Sequence, residues 1–284
     1  MHLTLILLAI VISGLTRFLW WRSAEWSDRW QRTLIAFLLP PLLLLTTAVA
    51  VMCMGTQGQM LGLPAGWIGY LLALSFLATA IGLLLRLGWQ GWRSLRHVHS
   101  YPVQSYPVLG QDIAIGHVVA TSHLFAAQIG FWNSQLVVSQ GLLDRLTPEQ
   151  LEAVLTHERA HAYYRDTFWF FWMGWLRHFT VWLPNTEALW QELLLLRELR
   201  ADRWAAQAID PLLLAESLLL TVKETPLSAA DFCAAFSAAA PLNRLEERID
   251  ALLLPSESAE LDNRISLLGL WVALVPLLTV LFHQ

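Results

Sequence analysis

The residues whose types and spacing could do chemistry begin with His157-Glu158-Arg159-Ala160-His161. On an α-helix the i, i+4 spacing puts both imidazoles on one face, one turn apart, where they can reach a single ion. Glu158 sits about 100° around the helix. Its longer side chain can reach a water on that ion without binding the metal, the division of labour that metal-assisted peptide hydrolysis needs. Two imidazoles do not complete a tetrahedral zinc site. A third protein ligand is required, with the fourth position left to water. The run Arg197-Glu198-Leu199-Arg200-Ala201-Asp202 offers one. Glu198 and Asp202 share a helix face at i, i+4; Glu198 would bind Zn2+ and Asp202 could accept the N–H of a ligand histidine. Glu187, Glu192 and Asp166 are rivals for the third ligand, less favoured because none offers paired carboxylates.

Helices must hold these groups. Thr147-Pro148-Glu149-Gln150 is a capping box with proline at the first helical position, and Leu151, Val154 and Leu155 supply an apolar face. This predicts a helix to about Arg165. A second helix starts near Asn185 or Thr186, runs through Glu198 and ends before Pro211. A third covers Pro211 to about Glu224. An Ala-rich connector with Cys233 follows, then a short amphipathic helix near Leu242–Leu254. Upstream, IAIGHVV, HLFAAQIG and QLVVS predict a small antiparallel sheet or meander. The preceding SYPVQSYPVLGQD reads as a proline-punctuated linker.

Composition decides the solvent. Hydrophobic residues make up 56% of the chain and charged ones 14%, too apolar a balance for an ordinary soluble domain. Fifteen Trp fit a membrane, where indoles favour the interface. The net charge of −4 and the lack of a basic run exclude nucleic acid as a direct ligand. Cys53 and Cys233 form no disulfide framework and read as two buried thiols. Four stretches are apolar enough to span a bilayer, about 3–20, 33–54, 65–87 and 265–282. The first lacks a basic start and a cleavage site, so it reads as a permanent anchor. Arg22, Arg29 and Arg32 follow the first span, and Arg86, Arg93 and Arg96 follow the third, whereas Gly55–Pro64 carries no Lys or Arg. The positive-inside rule then puts both termini outside and the segment from about Arg93 to Arg264 in the cytoplasm. Thr167–Leu183 is apolar but broken by Arg177-His178, and reads as a helix or hairpin at the interface or dipping into it. The expected layout is three spans over 1–97, a peptidase domain over 98–263 and a fourth span over 264–284.

The run FWNSQLVVSQGLLDRLTPEQLEAVLTHERAH resembles the segment leading into the catalytic helix of integral-membrane gluzincins. These include the HtpX heat-shock peptidases, the prenyl-protein peptidases and the BlaR/MecR antirepressor peptidases. The resemblance covers roughly Phe125 to Leu254. In these families the third ligand is a Glu on a later helix followed by an Asp four residues on, as at Glu198 and Asp202. PLNRLEERIDALL resembles their C-terminal element ending in Arg-Ile, here Arg248-Ile249. The span layout is most similar to the BlaR/MecR type, with Trp182-Leu183-Pro184-Asn185 a loose counterpart of its WFNP residues. The chain departs from that type in stopping after the fourth span, without a penicillin-binding sensor domain, which leaves the inducing signal open.

The resemblance implies a mainly α membrane protein: four transmembrane helices with a cytoplasmic α+β zincin domain. It implies a zinc metalloendopeptidase with Glu158 as general base. A second electrophile should face the oxyanion. Arg248, Arg200, Tyr163 and His178 are candidates, and the resemblance favours Arg248. The expected partners are the lipid bilayer and a protein substrate, foremost a cytoplasmic transcriptional repressor or the chain itself. The alternatives are a membrane-protein quality-control peptidase of the HtpX kind and a non-catalytic scaffold with structural zinc. His97 and His99 read as interfacial, His117 and His123 as ordinary polar residues near strands, and His2 and His283 as frayed ends.

Overall fold

The structure, a computed structural model, describes residues 2–20, 26–56, 59–60, 63–64, 66–108, 111–224, 244–253 and 267–282. Cys233 with its connector, the PSESAELDN link and His283 lie outside the described residues. The chain divides into two compact units. The first comprises Met1–Arg86, Trp175–Leu193 and Glu260–Gln284; the second comprises Leu87–Gly174 and Leu194–Ala259. The stretch 175–193, expected in the peptidase domain, clusters instead with the apolar helices.

The first unit is helical. α1 (His2–Phe18) packs on α2 (Trp26–Met54), with Ala9, Leu43 and Leu44 in a cluster that includes Leu183. α2 passes through Pro40 and Pro41 without ending. Two short antiparallel strands, β1 (Gln59–Met60) and β2 (Leu63–Pro64), lie between α2 and α3 (Trp67–Val98), which begins here. α2 and α3 are each long and apolar enough to cross a membrane. They differ in what covers them. The apolar window of α2 is 61% buried by protein, that of α3 only 17%. Ile68, Leu71, Leu72, Ile81 and Leu85 of α3 are exposed, an apolar surface that lipid would cover. α1 has 17 residues and is shorter than a full span. The expected fourth span is not one continuous α-helix: Leu267–Leu274 and Thr279–Phe282 are 3-10 turns flanking the α-helical Val275–Leu278. Pro276, which has no N–H to donate, sits at the start of that α-turn. Two further expectations are corrected. His2 is buried against α3, where a side chain on Gly69 would collide with its Cβ. Cys53 is exposed on α2, as a lipid-facing side chain of a membrane helix would be.

In the second unit four strands form one sheet: β3 (Val103–Val108), β4 (Gln111–Val119), β5 (Ala126–Ile129) and β6 (Gln135–Ser139), in the order β3-β4-β6-β5. The sheet is mixed rather than antiparallel. β4 and β6 pair in parallel, with Gly116 opposite Leu136 and Val118 opposite Val138. β3 occupies the expected linker, because Pro102 precedes it and Pro107 lies at its irregular end, where the register with β4 shifts. Ser139 ends β6 and caps α4 (Gln140–Arg145).

α5 (Pro148–Tyr163) carries the His157 motif, and its capping box forms as expected: Thr147 Oγ1 accepts from Gln150 N and Gln150 Oε1 accepts from Thr147 N. Val154 and Leu155 enter a core with Val118, Leu136 and Val138 of the sheet. Ala153 enters a second core with Ala205 of α7 (Thr186–Ala205), Leu214 and Leu218 of α8 (Pro211–Glu224), and Leu252 of α9 (Leu245–Leu253). Gripped by two cores, α5 cannot rotate, and the face with His157 and His161 is fixed. α6 (Asp166–Phe179) fills most of the broken apolar stretch. At 14 residues it is about 21 Å long, short of the roughly 30 Å hydrocarbon core.

Candidate metal centre

His157 and His161 are buried, and their Nε2 atoms lie 3.2 Å apart. Glu198, on α7, brings Oε2 to 3.3 Å from His157 Nε2 and Oε1 to 3.7 Å from His161 Nε2. Bonds of about 2.0–2.1 Å at tetrahedral angles set donor–donor edges of roughly 3.3–3.4 Å. One donor atom from each of His157, His161 and Glu198 lies within 4.8 Å of the others, close enough for the three to converge on one ion. Among the described residues, His157, His161 and Glu198 form the cluster able to hold an ion. The rivals have other partners: Glu187 takes Arg177 at 2.6 Å, Glu192 takes Arg29, and Asp166 takes His161.

Each imidazole has a carboxylate on its far nitrogen, which turns Nε2 inward. Asp202 Oδ1 lies 2.9 Å from His157 Nδ1, within ion-pair distance though not aligned for an N–H···O bond. Asp166 Oδ2 lies 2.7 Å from His161 Nδ1. The sequence offered Asp166 only as a rival ligand. Its place follows from the turn after α5, where Arg165 takes φ 53° and returns the chain to His161. No local pattern distinguishes a ligand from the partner of a ligand, so this role was not legible.

Arginines hold the carboxylates in turn. Arg248 donates from Nε and Nη2 to Asp202, both at 2.8 Å, and places Nη1 3.4 Å from Glu198. Arg197 donates to Glu198 at 2.7 and 3.0 Å, and Arg200 donates to Asp166. Arg248 and Arg200, both expected as candidates to face an oxyanion, thus have carboxylates as partners. Tyr163 is exposed and stacks on Trp204. His178 lies in the part of α6 that belongs to the first unit.

The charges follow from this arrangement. Burial alone would raise Glu198, but Arg197, His161 and Arg248 hold it well below the usual carboxylate range. Burial would likewise raise Asp202; Arg248 and His157 bring it below its ordinary value. Burial would depress the His161 imidazole, yet Glu198 and Asp166 lift it to about 10. His157 is raised in the same way, against burial, by Asp202 and Glu198. Glu158 is pushed up by burial and the charge of Glu198, against the pull of His161, His157 and Arg197. A carboxyl raised toward neutrality is the poise a general base needs. The arrangement can hold a divalent cation on three protein donors beside a buried base, the equipment for metal-assisted hydrolysis.

Comparison with known proteins agrees with this class. Residues 114–252, which include His157, Glu158, His161, Asp166, Glu198, Asp202 and Arg248, match peptidase family M48. More particularly, the protease HtpX of Legionella pneumophila strains Corby, Lens and Philadelphia 1 is 46% identical to this chain over 48 residues. That segment is 17% of this chain and 17% of the relatives' length. No solved structure matches the chain. The M48 match, the likeness to HtpX and the apolar helices together support a membrane-associated metallopeptidase.

Proposed function

We propose that this chain is a membrane-embedded zinc metalloendopeptidase that cuts protein substrates at the cytoplasmic face. The carrying observation is the convergence of His157 Nε2, His161 Nε2 and Glu198 at 3.2–3.7 Å beside the buried Glu158. Zinc on these three donors supplies a Lewis acid that brings a water pKa toward neutrality. Glu158 accepts the proton of the attacking water and returns it to the departing amide nitrogen. Asp202 and Asp166 keep the two imidazoles turned inward, while Arg248 and Arg197 hold Glu198 ionised. β5, an edge strand in contact with α5, can take an extended peptide as an added strand.

The leading substrate is a cytoplasmic transcriptional repressor or the chain's own juxtamembrane segment. The charge asymmetry about α2 and α3 supports the cytoplasmic side, and the likeness to antirepressor peptidases supports the substrate. The second reading is quality control of membrane proteins, favoured by the 46% identical HtpX segment. A non-catalytic scaffold is the poorest reading, because it gives the buried Glu158 no task. Comparative proteomics of cells carrying the intact chain or Glu158→Gln separates these readings. A soluble regulator cut only with Glu158 intact supports signalling. Loss of misfolded membrane proteins alone supports quality control. No difference between the two strains removes the enzyme reading.

A further inference from the structure

α3 extends well past its apolar part. Its 32 residues are about 48 Å long, whereas the hydrocarbon core is roughly 30 Å thick. Trp67–Leu87 accounts for that thickness, so the turns from Trp89 onward lie at headgroup depth. Trp89, Trp92, Arg93, Arg96 and His97 recur there at spacings of three and one, which places them on one helix stripe. With Ser100 they line an open groove of about 580 Å³. Trp89 and Trp92 are 59% and 41% exposed, and their rings lie 5.0 Å apart. The Arg96 guanidinium sits 3.6 Å over the Trp92 ring. Stacking engages its π face and leaves its in-plane N–H donors free to grip an anion as a fork. Arg93 is exposed beside it. No Asp or Glu occurs anywhere between Asp28 and Asp112, so nothing in the surrounding sequence neutralises these cations.

We propose that this stripe is a binding site for the phosphate of an anionic phospholipid, held by Arg93 and Arg96, with the two indoles lodged against the upper acyl and glycerol region. Neighbouring exposed indoles belong at the membrane interface, and the fork of Arg96 matches a phosphodiester. The inference rests on α3 crossing the membrane and not on the peptidase reading.

The test uses the full chain in detergent micelles. Retention of phosphatidylglycerol, phosphatidylcholine and inorganic phosphate is measured by native mass spectrometry. The expected result is preferential retention of phosphatidylglycerol, weakened roughly tenfold or more by Arg93→Gln with Arg96→Gln, and phosphatidylcholine unchanged. Glu158→Gln should retain the lipid fully, which separates this site from the catalytic reading. In the wild-type chain an anionic lipid with a photoreactive headgroup should label the peptide around Trp89–Ser100, a readout that needs no variant to fold. Equal retention of the two lipids, labelling elsewhere, or displacement by millimolar inorganic phosphate would each overturn the proposal; the last would make it a free-anion site.

Discussion

Each imidazole of the candidate metal centre depends on a carboxylate that depends on an arginine, and the two chains of support differ in origin. His157 leans on Asp202 and Arg248, both far along the chain, while His161 leans on Asp166, five residues away, and on Arg200. Asp166→Asn should keep the fold and weaken zinc affinity roughly 10- to 100-fold, read by chelator competition. Asp166→Ala should also remove the carboxylate that the half-buried Arg200 donates to, and destabilise by about 1–3 kcal/mol in a denaturant titration. Equal effects of the two variants would assign Asp166 to the fold alone. The proton on His161 gives a pH prediction. Its folded value of about 10 lies above the ordinary 6.5, so in metal-free protein this proton stabilises the fold fully below pH 6.5 and is lost as pH rises toward 10. Zinc needs the neutral ring. Its apparent affinity should therefore climb over the same window, seen by competition with a pH-corrected chelator between pH 6 and 9.

At the scale of elements, α5 is the part on which the site turns. Its start is fixed locally by the Thr147–Gln150 box and its rotation by the two cores that take Leu155 and Ala153. Thr147→Ala should cost roughly 0.5–2 kcal/mol by removing the acceptor for Gln150 N, lowering the thermal midpoint without changing zinc content. A drop in zinc content at full stability would instead mean that the cap tunes the site. The sheet shows the limit of periodicity. Three of its strands, β4, β5 and β6, were legible as β-rich runs, while β3 lay in the expected linker; alternation says nothing of which strand pairs with which. The β5–β6 hairpin forms as neighbours in sequence should. The parallel β4–β6 pair depends on the chain between 120 and 134 returning past the sheet edge.

For the whole molecule the membrane sets the boundary conditions. A reporter fused at Pro255 should read cytoplasmic and one at Gln284 periplasmic or luminal, the outcome demanded by a Gly55–Pro64 loop without Lys or Arg. Cleavage of the Pro255 region by protease added to right-side-out vesicles would reverse the orientation. Within the first unit, Glu192 is fully buried and pairs with Arg29, while Asn185 donates to the Arg17 carbonyl at 3.0 Å. The α7 segment of that unit is thus fastened to α1 and α2 by polar contacts, which hold firmly where water is scarce.

The sequence by itself determined the helix that carries His157, Glu158 and His161 and the common face of the two imidazoles. These depend on helical periodicity and on hydrogen bonds within four residues, and both are local. It also determined the apolar character of α2 and α3, because transfer to lipid is close to a sum over residues. Glu198 and Asp202 were legible as a pair on one face, but that they meet His157 was decided by the packing of α7 against α5. Tertiary structure alone turned Asp166 from a possible ligand into the partner of His161, and gave Arg248 to Asp202, 46 residues away. A buried charge settles on whichever opposite charge the fold brings within reach. Sequence spacing shows which charges exist; only the folded path of the chain shows which of them meet.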